Sequence, residues 1–180
     1  MVAWHGQGAY GAVYRAVRVG QEQEGPVALK LSVYPWDMRF AREGELLSRL
    51  SLPGIPRLLG RGVLRFPDGA EHLWLAMEWV EGVPLYAWAK QRCASYPQVC
   101  RVLAQLARTL EALHAAGVVH RDVKGDNVLV RLSDSFPVLI DLGSGHFQGA
   151  ARLTWQAPPP GTAEYQSPQA GRFEIALARH

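Results

Sequence analysis

At 180 residues the chain can build one good core or two small lobes, and its 48% apolar and 19% charged content argues against disorder. The net charge of +3 comes from arginines spread along the chain, with no basic block of the kind that marks nucleic-acid binding. No apolar run reaches the roughly 18 residues of a membrane span, and no charged stretch leads into an apolar one at the start, so neither a membrane span nor a signal peptide is expected.

The elements follow in chain order. Gly6, Gly8 and Gly11 precede an alternating stretch with Val13, Val17 and Val19, which predicts strand–turn–strand. Val27-Ala28-Leu29-Lys30 predicts a further strand. Phe40, Glu43, Leu47 and Leu50 recur at three- and four-residue steps, so a helix over 40–50 carries Glu43 on its apolar face. Glu45 falls with Ala41, Ser48 and Arg49 on the solvent side, and Gly44 weakens this helix by about 1 kcal/mol relative to Ala. Pro53-Gly54 marks a turn before the next strand, Phe66-Pro67-Asp68-Gly69 a hairpin turn, and Leu73 to Gly82 a strand ending in a turn.

Tyr96 to Ala116 forms the clearest helix. Ser95 caps it, Pro97 sits in its first turn, Gly117 ends it, and Val99, Val102, Leu103, Leu106, Leu110 and Leu113 make its apolar stripe. Val118-Val119 and Val128-Leu129-Val130 predict short strands, and Val138-Leu139-Ile140 a strand that delivers Asp141. Cys93 and Cys100 have neither CxxC nor zinc spacing. They are expected as free, buried or half-buried thiols in a reducing compartment, which with the missing signal peptide implies a cytoplasmic protein. His5, His72, His114, His146 and His180 show no metal-ligand spacing.

The chemistry concentrates in one run, His120-Arg121-Asp122-Val123-Lys124-Gly125-Asp126-Asn127, followed by Asp141-Leu142-Gly143. Asn127 is the only asparagine in the chain, and two of its three lysines, Lys30 and Lys124, fall in such motifs. The run resembles the catalytic loop of eukaryotic-type protein kinases, and Asp141-Leu142-Gly143 their metal-binding DFG. Gly6 to Val13 resembles the kinase Gly-rich loop, Val27 to Lys30 the VAIK of the third strand, and Leu73 to Gly82 the fifth strand and hinge. Gly161-Thr162-Ala163-Glu164-Tyr165-Gln166-Ser167-Pro168-Gln169 resembles the end of the activation segment in serine/threonine kinases.

The resemblance covers about residues 1–170 and implies an α+β, bilobal protein-kinase-like fold. Residues 1–80 would form an antiparallel sheet with one helix, and residues 81–180 a helical lobe, incomplete because the expected later helices do not follow. ATP with Mg²⁺ (or Mn²⁺) would lie between them, cradled by Gly6, Gly8 and Gly11, with Val13, Ala28, Leu129 and the gatekeeper Met77 around the adenine and the backbone of Glu78 and Val80 at its edge. Lys30, fixed by Glu43, would grip the α- and β-phosphates. Asn127 and Asp141 would hold the metals, Lys124 would steady the γ-phosphate, and Asp122 would orient the hydroxyl of a protein Ser or Thr. Arg121 beside Asp122 implies control by a phosphorylated activation loop, with Thr154 as the acceptor, and Thr162 would bond Asp122 and Lys124.

Two departures from the pattern are Leu142 for Phe and Gln169 for Glu. The short helical lobe leads to an expectation of exposed apolar surface on the 96–116 helix, to be covered by a partner or a further segment. Two other functions share the motifs: a weak or inactive nucleotide-binding or scaffolding module, and a small-molecule kinase. Arg121, Lys124 and Thr162 favour a protein substrate over the latter.

Overall fold

The structure, a computed structural model, describes residues 2–7 and 11–147. Five antiparallel strands open the chain: β1 (Val2–Gln7), β2 (Gly11–Val17), β3 (Pro26–Ser32), β4 (Leu58–Arg65) and β5 (Glu71–Glu78). They lie in the order β1-β2-β3-β5-β4. Register places Val13 opposite Lys30 and Lys30 opposite Leu75, with Ala28 opposite Met77. Alternate residues of a strand share a face, so all five look to one side of the sheet.

That side is covered by α1 (Met38–Arg49), whose Asp37 cap accepts from the N–H groups of Arg39 (2.8 Å) and Phe40 (3.2 Å). Phe40, Leu46 and Leu47 join Leu75 and Met77 in the core. Glu43 lies on the buried side as its spacing predicts, and Glu45 turns outward to pair with Arg49 (2.6 Å). The buried stripe also takes in Arg42 and Gly44. Gly44 is not a mere weakness of the helix: a Cβ there would stand 2.8 Å from Leu75 Cδ2. Its bare Cα sets how closely α1 approaches β5.

The second part is built from β6 (Gly82–Pro84), α2 (Leu85–Gln91), α3 (Tyr96–Ala115), β7 (Val118–Val119), β8 (Val128–Arg131), β9 (Pro137–Leu139) and β10 (His146–Phe147). The short strands pair as β6-β8-β9 and as β10-β7. The loop between β4 and β5 is the expected hairpin turn, with Gly69 at φ 85°. The helix α2, with Trp88 buried, has no counterpart in the sequence reading. No helix among the described residues is long and apolar enough to cross a membrane.

In α3, Ser95 N–H donates to Gln98 Oε1 (2.8 Å), half of a capping box. The buried side is Val102, Leu106, Thr109 and Leu113, spaced four, three and four residues apart. Thr109 enters the core because its hydroxyl donates to the Gln105 carbonyl (3.3 Å). Leu103, expected in the stripe, is instead 47% exposed. Ala104, Ala107 and Ala115 are exposed with it, in line with the expected apolar surface. The two cysteines are free as expected but exposed rather than buried. Cys93 lies in the loop after α2, and Cys100 precedes the first buried position of α3, Val102.

One core joins both parts. Phe40, Leu46, Leu75 and Met77 run continuously through Ile55 and Leu142 to Leu106, Leu113, Val128 and Leu139. His120 closes it from the loop after β7 and is fully buried. Its Nδ1 accepts the Asp122 N–H (3.2 Å), so Nε2 carries the proton and donates to the Ile140 carbonyl (3.2 Å). Burial pushes its pKa below the ordinary value, against the pull of the Ile140 carbonyl, Asp141 and Asp122.

Two consequences are measurable. Gly44→Ala should lower stability by about 1 kcal/mol, because overpacking against Leu75 outweighs the helix-propensity gain. A rise in the urea midpoint would contradict this. For His120 the unfolded chain takes up a proton near pH 6.5, while the folded chain resists it. The neutral ring's contribution is therefore present above that pH and is lost as pH falls toward the folded pKa. Stability should fall less between pH 7 and pH 5 in His120→Asn than in the wild type; equal slopes would contradict the buried neutral histidine.

Candidate active site

A cavity of about 510 Å³ opens between the five-stranded sheet and the second part. This is the size range of small-molecule sites. Val13, Ala28, Met77 and Leu129 supply apolar wall, and Glu78, Trp79 and Val80 line it along the segment that joins the two parts. Glu78 N–H donates to the Arg57 carbonyl (2.9 Å), which anchors this segment. Lys30, Glu43, Asn127 and Asp141 lie on the polar side.

The polar side is built from two hydrogen-bonded groups. In the first, Lys30 Nζ donates to Glu43 Oε2 (2.6 Å) and to Asp141 Oδ1 (3.2 Å). The sheet supplies the lysine, α1 the glutamate, and the end of β9 the aspartate. Burial pulls the Lys30 pKa down, but Glu43 and Asp141 outweigh it and raise the pKa above the ordinary value. Burial raises the Glu43 carboxyl against the pull of Lys30 and of the Leu142 N–H. Burial also opposes ionisation of Asp141, yet Lys30 and the Gly143 N–H hold its pKa below the ordinary value. Lys30 is therefore cationic and Asp141 anionic at neutral pH, and the Lys30 pair opposes the burial that disfavours charge on Glu43. Asp141 remains 40% exposed toward the cavity.

Gly11 closes the top of this group. A Cβ there would come 2.9 Å from Lys30 Cε and 3.2 Å from the Leu31 carbonyl, so only glycine leaves the lysine in place. Of the other two glycines in the motif, Gly6 lies in β1 next to a register shift after Trp4, and Gly8 falls outside the described residues.

The second group is the turn over 120–127. Asn127 Nδ2 donates to the Asp122 carbonyl (2.8 Å) and to Asp122 Oδ2 (3.0 Å), and Lys124 Nζ pairs with the same Oδ2 (3.1 Å). Ile140 N–H donates to the Asn127 carbonyl (2.8 Å), and His120 bonds the Ile140 carbonyl, so this loop and the strand bearing Asp141 are locked together. Arg121 (φ 65°) and Asp141 (φ 63°) both hold left-handed backbone that non-glycine residues rarely adopt. Such outliers cluster at functional sites.

Arg121 Nε donates to the Ser144 carbonyl (2.8 Å). Burial, then the like charges of Arg42 and Arg39, lower its pKa. Thr154, Thr162, Tyr165 and Gln169, also singled out in the sequence, lie outside the described residues.

The structure thus brings together Lys30, Glu43 and Asp141, and sets Asp122, Lys124 and Asn127 beside them. Sequence reasoning missed Pro84, Leu139 and Ile140 in the wall and the bracing role of His120. It also missed the Leu142 N–H bond to Glu43, for which no side-chain pattern gives a signal.

The residues fit a nucleotide with a divalent ion. Asn127 commits Nδ2 to Asp122, so its amide oxygen is the atom it can offer a cation; Asp141 adds one partly exposed carboxylate. One carboxylate and one amide suit a magnesium ion that takes its other ligands from phosphates and water. Among the described residues no group of three or more His, Cys, Asp or Glu could hold a metal without them.

The protein kinase domain matches residues 3–170. The chain is 31% identical over 169 residues to serine/threonine-protein kinase PknH of Mycobacterium bovis, covering 91% of this chain and 27% of PknH. It is 33% identical over 182 residues to PknE of the same organism, covering 97% and 30%. It is 34% identical over 168 residues to PknL of Mycobacterium tuberculosis, covering 90% and 40%. The chain thus spans roughly a quarter to two fifths of these relatives' length. A domain match over nearly the whole sequence, on an α+β fold with an antiparallel sheet, places the chain in the protein kinase family.

Proposed function

We propose that this chain transfers the γ-phosphoryl group of ATP to Ser or Thr of a protein substrate. The observation that carries the reading is the convergence of Lys30, Glu43, Asp141 and Asn127 on one cavity, with Asp122 bonded to Asn127 and paired with Lys124 behind them. A transferring phosphoryl group spreads negative charge over its oxygens, so the work of the site is positioning and charge compensation. The relatives' names, serine/threonine-protein kinase, support the substrate class.

On this reading residues 1–80 and 81–180 are the two lobes, and Val13, Ala28, Met77 and Leu129 enclose the adenine. Glu78 and Val80 offer backbone groups at its edge, while Gly6, Gly8 and Gly11 lie over the phosphates. Asn127 and Asp141 hold Mg²⁺ (or Mn²⁺), which when bound supplies positive charge to the phosphate oxygens. Lys30, fixed by Glu43, compensates the α- and β-phosphates. Asp122 accepts a hydrogen bond from the acceptor hydroxyl and takes its proton. Lys124, 3.1 Å from Asp122, brings a cation to the γ-phosphate side. The Arg121, Arg42 and Arg39 group suits a phosphate on the segment that carries Thr154.

The exposed side of α3, with Leu103 47% exposed, supports a second reading. In it the chain binds nucleotide but transfers phosphate poorly until that side is covered.

Two variants test the assignment. Asp141→Asn should abolish the gain in ATP affinity that magnesium gives over EDTA, measured by calorimetry; equal wild-type affinity in magnesium and EDTA would remove the metal site. Asp122→Asn should lower kcat at least about 1,000-fold while leaving ATP affinity within about twofold, because Asp122 acts on the hydroxyl rather than on the nucleotide. Undiminished turnover, or phosphotyrosine as the only product, would contradict the roles given to Asp122 and to the substrate.

A further inference from the structure

The wall of the cleft changes character between its two ends. Val13, Ala28, Met77 and Leu129 are apolar, and Lys30, Asn127 and Asp141 are polar. In the reading above, the base meets the first group, the phosphates meet the second, and the sugar joins them. Leu129 near the start of β8 and Asn127 at the end of the turn before it are two residues apart, so the sugar lies over this step. Register fixes what flanks it: β6 pairs Pro84 directly with Leu129, and Pro84 lines the same cavity.

Pro84 has nothing to offer a hydroxyl. Its ring carries no polar atom, and its nitrogen has no hydrogen to donate. Its carbonyl stands at the N-cap of α2, the position that accepts the first hydrogen bond of the helix. A serine, threonine or aspartate there would cap α2 and present an oxygen to the cleft; proline does neither, and no side chain caps this helix. Among the described residues, one polar side chain lies on the wall beside this step, that of Asp126. It is exposed, so its carboxylate is already hydrated, and exchanging a water for a sugar hydroxyl gains little.

We propose, resting on the phosphoryl-transfer reading above, that Pro84 makes the cleft indifferent to the sugar, so that 2′-deoxyATP serves as phosphoryl donor as well as ATP. Transfer from either donor breaks the same bond, between the γ-phosphorus and its bridging oxygen. It forms a bond to the acceptor hydroxyl oxygen, passes that hydroxyl's proton to Asp122, and releases ADP or 2′-deoxyADP.

The test is calorimetry of the whole chain in magnesium with ATP, 2′-deoxyATP or GTP, alongside phosphorylation of a serine/threonine peptide library by the first two. 2′-DeoxyATP should match ATP within about twofold in affinity and in turnover, because no hydrogen bond is lost. GTP keeps the ribose and the phosphates, yet it should bind at least about tenfold more weakly, because its base edge mismatches the backbone groups of Glu78 and Val80. Pro84→Gln should create a preference of about fivefold for ATP over 2′-deoxyATP, by giving the sugar hydroxyl a side-chain amide to bond. Any larger wild-type preference for ATP over 2′-deoxyATP overturns the inference, and its loss in Asp126→Asn would assign sugar recognition to Asp126 instead. Equal affinity for all three nucleotides overturns it too, since only the phosphates would then be recognised. So does a ratio that Pro84→Gln fails to move, which takes Pro84 off the sugar wall. The two readings separate. Equal binding of ATP and 2′-deoxyATP with no phosphorylation from either upholds the sugar inference and counts against transfer by this chain; phosphorylation from ATP alone does the reverse.

Discussion

Everything in the cleft depends on one buried cation. Lys30 reaches it from the sheet, Glu43 from α1 and Asp141 from the end of β9, so a single ammonium ties three elements that are far apart in sequence. Removing one partner of such a buried pair leaves a charge without compensation, which costs about 3–5 kcal/mol. The cation therefore fixes where α1 sits, and α1 in turn fixes Leu142 through the N–H bond to Glu43. Gly11 above and Gly44 behind give the arrangement its closeness, each by lacking a side chain where one would collide.

A second layer of hydrogen bonds fixes the other half of the site. His120 is buried, neutral and bonded at both nitrogens, and it joins the Asp122 backbone to the strand that carries Asp141. Asn127 then spends its amide nitrogen on Asp122 and keeps its oxygen for a cation. Side chains that bond each other in this way lose little freedom when a ligand arrives, which is what preorganised charge stabilisation requires. The left-handed backbone at Arg121 and Asp141 brackets this layer at both ends.

Much of this was legible in the sequence, for particular reasons. The choice of Glu43 over Glu45 followed from helical spacing with Phe40 and Leu47, because only one face of a surface helix can be buried. The hairpin at Phe66 to Gly69 and the cap of α3 followed from residues whose chemistry is local. The misreadings share a cause: they concern contacts that spacing does not encode. Leu103 is apolar but lies beside the line set by Val102, Leu106, Thr109 and Leu113, and Thr109 holds its place there through backbone bonds. Cys100 is off the same line. The seven-residue α2 begins at Pro84 without a side-chain cap and is too short for periodicity to reveal. Gly44 looked like a flaw until Leu75 stood against it.

The central claim is that Lys30 compensates nucleotide phosphate only because Glu43 holds it. A double-mutant cycle on Mg·ATP binding, with Lys30→Met, Glu43→Gln and the double variant measured by calorimetry, tests this most directly. The account predicts that each single variant weakens binding at least about tenfold and that the double variant is no worse than Lys30→Met, a coupling of at least about 1.4 kcal/mol. Losses that simply multiply, or affinity unchanged in Lys30→Met, would contradict it.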